Sequence, residues 1–99
     1  MSEQLKDRLA RILDEIRGEL VDRAEKKFPT FPTDVIHAAA IVAEEQGELM
    51  KAALQVTYEN GSWRELRAEA IETAAMALRL LSMFEHLKRR PSSQKKRTP

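Results

Sequence analysis

The chain has 99 residues, enough for one domain with a modest core, and it contains no cysteine. Disulfides, thiolate metal sites and cysteine nucleophiles are therefore excluded, and a reducing cytoplasm is the expected setting. Six of the seventeen basic residues follow position 87, where no acid occurs, so a net charge of +1 conceals a body with eleven bases against sixteen acids, a net of −5. Such a body fits a cation binder better than a nucleic-acid binder. No apolar run approaches the roughly 20 residues of a membrane span, and the polar start Met1-Ser2-Glu3-Gln4 carries no signal-peptide pattern.

The first helix is predicted from about Glu3 to Lys27. Leu5, Leu9, Ile12, Leu13, Ile16, Leu20 and Ala24 recur at the spacing of one buried stripe, and Arg8, Arg11, Glu15, Arg17, Glu19 and Arg23 make a solvated face between them. Phe28-Pro29-Thr30-Phe31-Pro32 ends it, because proline disfavours helical geometry in the residue before it. Thr33 is the predicted N-cap of a second helix, with Asp34 in its first turn. That helix runs to about Tyr58 and stops at Asn60-Gly61. A third opens on the capping box Ser62-Trp63-Arg64-Glu65 and continues through Ile71, Ala75, Leu78, Leu81 and Phe84 to about Lys88. Residues 1–90 are thus one all-α domain, and 91–99 form a basic tail expected to be disordered. Three long helices joined by short loops imply an antiparallel helical bundle, with a four-helix-type core completed by dimerisation.

The second helix carries the sharpest signal. At about 100° per residue, Ala38, Val42, Glu45, Leu49 and Ala52 share a stripe, with Ile41 and Glu48 on the adjoining one. Two carboxylates therefore interrupt an apolar face. In the third helix Glu69 aligns with Met76 and Leu80, and Glu72 lies one turn on. Counted outward from Asn60-Gly61, Glu45/Glu48 and Glu69/Glu72 come to similar heights on neighbouring helices. Inward carboxylates must be paired, protonated or bound to metal. An oxygen-only set suits Mg²⁺, with Mn²⁺ as a substitute; a solvated acidic face is the plain alternative.

Glu44-Glu45-Gln46-Gly47-Glu48, followed twenty residues later by Glu69-Ala70-Ile71-Glu72, resembles the EExxE…ExxD signature of the MazG-like all-α nucleoside triphosphate pyrophosphohydrolases. The resemblance covers roughly residues 34–85. It implies that Glu45, Glu48, Glu69 and Glu72 hold Mg²⁺, and that a (d)NTP is cleaved to the monophosphate and pyrophosphate by a homodimer or homotetramer. Glu72 stands where that family usually has aspartate. Adjacent to the first pair, Glu44 is the candidate catalytic residue, orienting or deprotonating water.

His37 shares a face with Glu44 and Glu48 and is a candidate to stack on a base or bond a phosphate, or else a partly buried helix histidine. Trp63 is a candidate base-stacking residue or a packing residue at the N-cap. Lys51, Arg64, Arg67 and Arg79 are candidates to meet triphosphate charge; Arg79 falls on the face of Glu72, two turns along. Two other function classes stay open. One is a non-catalytic helical interaction or regulatory module related to the same family. The other is nucleic-acid association through the tail, which lacks aromatic interleaving and a recognised fold motif.

Overall fold

Apolar spacing and proline punctuation produce the helices the sequence predicts, with differences at their ends. The computed structural model describes residues 3–89, so the tail expected over 91–99 lies outside the described residues. Among the described residues the fold is all-α, without a strand. The first helix comprises α1 (Leu5–Gly18), a π-helical stretch (Glu19–Ala24) and α2 (Glu25–Lys27). It ends at Phe28, whose backbone leaves the helical region before Pro29. Helix α3 spans Val35–Tyr58, α4 spans Trp63–Ser82, and a 3₁₀ turn follows at Phe84–His86.

Two helix ends are set by a contact between distant segments. Lys88 donates its backbone N–H to the Thr33 carbonyl at 2.6 Å, and its carbonyl accepts from Val35 N–H at 3.0 Å. With the Thr33 backbone engaged there, the N-cap of α3 is Asp34 rather than Thr33, and the Asp34 carboxylate accepts from His37 N–H at 2.9 Å. The same contact draws Lys88 out of the last helix, so α4 stops at Ser82 instead of near Lys88. Ser82 also spends its hydroxyl on the Arg79 carbonyl at 2.7 Å, a local bond that competes with helix continuation.

Between α3 and α4 the chain reverses in four residues. Asn60 takes the left-handed conformation (φ 59°), which asparagine tolerates through its short polar side chain. Gly61 then donates to the Gln55 carbonyl at 2.8 Å. It approaches so closely that a Cβ there would lie 2.8 Å from backbone and side-chain carbons of Gln55. Ser62 caps α4 by accepting from Glu65 N–H at 3.1 Å. The result is an antiparallel α3–α4 hairpin.

Small side chains let its helices come close. Ala38 and Ala52 of α3 and Ala75 of α4 are buried. The Thr73 hydroxyl lies between two carbonyls, 3.1 Å from that of Glu45 and 2.8 Å from that of Glu69, so it ties the register of one helix to the other. The first helix lies against α4. Arg67 reaches Glu15 through two hydrogen bonds of 2.6 and 2.8 Å, and Arg79, buried, donates to the Phe28 carbonyl at 2.6 Å. Apart from Ile16 and Phe31, the large apolar side chains are only partly covered. Leu5, Leu9 and Leu13 form an exposed stripe on α1, and Met50, Leu54 and Tyr58 form another on α3.

The close approach at the turn has a direct test by urea denaturation. Gly61→Ala is expected to lower stability by about 1–3 kcal/mol, since the clash is with backbone that cannot yield. Asn60→Gly, which keeps the left-handed conformation, is expected to stay within about 1 kcal/mol of the parent. Equal stability of Gly61→Ala and the parent contradicts the turn geometry.

Candidate functional site

The register set by the Asn60-Gly61 turn and Thr73 brings Glu45 of α3 opposite Glu69 and Glu72 of α4. One carboxylate oxygen from each lies within 4.8 Å of the others, and all three residues are half-buried. Such a grouping is costly when fully ionised, and the protonation of the cluster reflects it. A hydrogen bond with Glu72, then burial, then the charges of Glu72, Glu45 and Glu48 push Glu69 up to about 7. Burial is the largest cause raising Glu45, followed by the charges of Glu72, Glu48, Glu44 and Glu19. Near neutral pH the cluster therefore carries less than its full negative charge.

Glu48 is placed differently from the sequence expectation of an inward carboxylate. It is exposed and stands outside the group of three. Three residues along a helix amount to about 300°, which turns Glu48 roughly 60° away from Glu45. It lines a small cleft with Lys51, Glu65 and Glu69, and its charge still acts on both Glu45 and Glu69.

A cleft of about 650 Å³ opens from the cluster toward the first helix, a size typical of small-molecule sites. One side carries Glu45 and Glu72, and the other carries Arg23, Lys26 and Lys27, with Glu19 beside them. These four side chains come from the end of the first helix, where the sequence pattern places Glu19 and Arg23 on a solvated face and assigns no role to Lys26 and Lys27. The π-helical stretch accounts for the difference. Each residue in it advances by less than the 100° assumed for a regular helix, so side chains beyond Gly18 leave their predicted phase. Glu19 retains only 17% of its side-chain exposure and pairs with Arg23 at 3.2 Å. A usable signal was present in the run of Arg23, Lys26 and Lys27 immediately before Phe28-Pro29.

A second cleft, of about 590 Å³, shares Phe28, Glu45 and Met76 with the first. Its walls include Phe31 and Ile41, and Glu44 and His37 reach it from α3. Glu44 thus lines this cleft and not the one between Glu45, Glu72 and the basic residues. Arg79 borders it from below: its guanidinium is 5.3 Å from the centre of the Phe31 ring and is committed to the Phe28 carbonyl. It holds the Phe28–Phe31 loop in place. Trp63 is 73% exposed at the start of α4 and lines none of these clefts. Arg64 and Arg67 line a third cleft beyond Glu72, where Arg67 holds the Glu15 carboxyl below the usual carboxylate range.

No known protein family matches the chain, and neither a curated protein nor a solved structure is found to resemble it.

The raised carboxyls give stability a defined pH dependence. Below about 4.5 folded and unfolded chains both hold the Glu69 proton; between about 4.5 and about 7 only the folded chain does. This contribution to stability is therefore lost as pH rises through that window. The thermal midpoint in chelator is expected to fall across it, less steeply in Glu69→Gln, and Mg²⁺ is expected to restore it above pH 7 in the parent alone. Parallel curves for parent and variant contradict the shared proton.

Proposed function

We propose that the protein is a Mg²⁺-dependent nucleoside triphosphate pyrophosphohydrolase, cleaving a (d)NTP to the monophosphate and pyrophosphate. The observation that carries this reading is the convergence of Glu45, Glu69 and Glu72 within 4.8 Å, two of them (Glu45 and Glu72) lining a cleft with Arg23, Lys26 and Lys27. An oxygen-only donor set suits a hard divalent cation, whose charge would relieve the repulsion acting on Glu69. Glu45, Glu69 and Glu72 would hold it, and Glu48 is the next carboxylate whose charge reaches the cluster. When bound, Mg²⁺ supplies charge neutralisation at phosphate oxygens and a more acidic water. Glu72 is a methylene longer than the aspartate of the family this signature resembles, and its carboxylate still reaches the group.

The chain's own residues account for substrate binding. Arg23, Lys26 and Lys27 bring cationic donors to the cleft wall facing the carboxylates, which suits an anionic polyphosphate. Half-burial of the cluster limits water around the reacting group, so each charge acts more strongly than at the surface.

We further infer a homodimer as the working unit, with a four-helix-type core made from two hairpins. Two apolar stripes, Leu5-Leu9-Leu13 and Met50-Leu54-Tyr58, are exposed in the single chain, and apolar surface of this kind marks an association face. A non-catalytic interaction module would display the same stripes, and activity separates the two readings.

Pyrophosphate release from a panel of NTPs and dNTPs with Mg²⁺ is the test of activity. Glu45→Gln, Glu69→Gln and Glu72→Gln are each expected to reduce kcat/KM by about a hundredfold or more, while Lys26→Ala raises KM more than it lowers kcat. Absence of release from any nucleotide by the folded protein favours the interaction module. For assembly, sedimentation is expected to give about twice the 11.3 kDa chain mass. Leu9→Asp with Leu13→Asp is expected to return it to that of one chain, and a monomeric parent contradicts the dimer.

A further inference from the structure

The two clefts differ in chemistry and meet at Glu45. One has basic residues facing carboxylates, and the other has aromatic and aliphatic walls, with Phe28, Glu45 and Met76 common to both. A nucleotide has the same division, an anionic chain at one end and a flat apolar base with a polar edge at the other. Phe31 is buried and fixed by the Arg79 guanidinium, whereas Phe28 is 60% exposed and presents its ring at the junction. Phe28, with the Lys27 ammonium 5.6 Å from its ring centre, is the accessible ring on which a base can stack.

Selection among bases requires a polar group aimed at the base edge. Glu44, an exposed residue of α3, lines the aromatic cleft together with His37 and stands outside the group of Glu45, Glu69 and Glu72. A carboxylate offers two adjacent acceptors and no donor. Guanine alone among the common bases presents two adjacent donors on its pairing edge, the ring N1–H and the 2-amino group. Adenine and cytosine place one amino donor beside a ring acceptor, and uracil and thymine place one donor between two acceptors. Against a carboxylate each of these bases sets an acceptor toward an acceptor, while guanine makes two charge-assisted bonds.

We propose that the aromatic cleft is a base subsite and that Glu44 reads the pairing edge of guanine, so that the site takes guanine nucleotides. The orientation of the phosphates rests on the pyrophosphohydrolase reading; recognition of the base does not. Glu44 faces the base in this arrangement, which separates its role from that of the neighbouring Glu45.

Titration calorimetry of the full chain with GMP, AMP, CMP and UMP in Mg²⁺ tests the subsite apart from any chemistry. GMP is expected to bind about ten- to a hundredfold more tightly than the other three, the range for one bidentate pair. IMP, which lacks the 2-amino group, is expected between them. Glu44→Gln has one acceptor in place of two, and its GMP preference is expected to disappear while binding of AMP is retained. Equal binding of all four nucleotides, or a GMP preference unchanged in Glu44→Gln, overturns the proposal. Pyrophosphate release without that preference discards the subsite and keeps the proposed activity. A GMP preference lost in Glu44→Gln, in a protein that releases no pyrophosphate, keeps the subsite and discards the activity.

Discussion

Mutual repulsion among Glu45, Glu69 and Glu72 is the constraint on which the rest of the structure depends. Their oxygens lie within 4.8 Å of one another, and three full negative charges at that spacing in half-buried surroundings oppose the packing of α3 on α4. What holds them together is the geometry of the hairpin. Gly61 allows a turn too close for a Cβ, Asn60 supplies its left-handed residue, and the Thr73 hydroxyl bridges carbonyls of both helices. A hydrogen bond with Glu72, burial and the neighbouring charges raise Glu69 to about 7, so that its protonation relieves part of the repulsion. A carboxylate group held together against its own repulsion follows a pattern typical of sites with a binding task.

The first helix supplies what the hairpin lacks. It adds the basic side chains and one wall of the first cleft, and the segment after it, Phe28 to Pro32, walls the second. Its attachment depends on few contacts, chiefly Arg67 with Glu15 and the buried Arg79 with the Phe28 carbonyl. Because Arg79 also lies against Phe31, the same residue that anchors the helix end shapes the aromatic cleft. Anchoring of the helix end and shaping of the cleft wall are thus combined in one guanidinium, whose planar fork can serve a carbonyl while it lies near a ring.

Much of this organisation is legible in the sequence. Proline and glycine mark both loops, helical spacing marks the faces, and the inward position of Glu45 and Glu69 follows from the apolar residues that share their stripes. Local pattern fails where distant backbone intervenes. Neither the cap at Asp34 in place of Thr33 nor the stop of α4 at Ser82 can be read locally, because both depend on Lys88 pairing with the segment before α3. It fails again at Glu19 and Arg23, since a fixed 100° step does not survive a π-helical stretch. Glu48 and Glu44 show a third limit: motif spacing groups them with Glu45, whereas helical rotation directs Glu48 to a separate cleft and leaves Glu44 sharing only the second cleft with Glu45.

The central claim is that the carboxylate cluster exists to hold a divalent cation. Crystals grown with millimolar Mn²⁺ and measured for anomalous scattering locate that ion without reference to activity. The account predicts a strong anomalous peak at about 2.1–2.2 Å from carboxylate oxygens of Glu45, Glu69 and Glu72, the range for a small hard cation. Ordered carboxylates in the same positions with no anomalous density between them would contradict it.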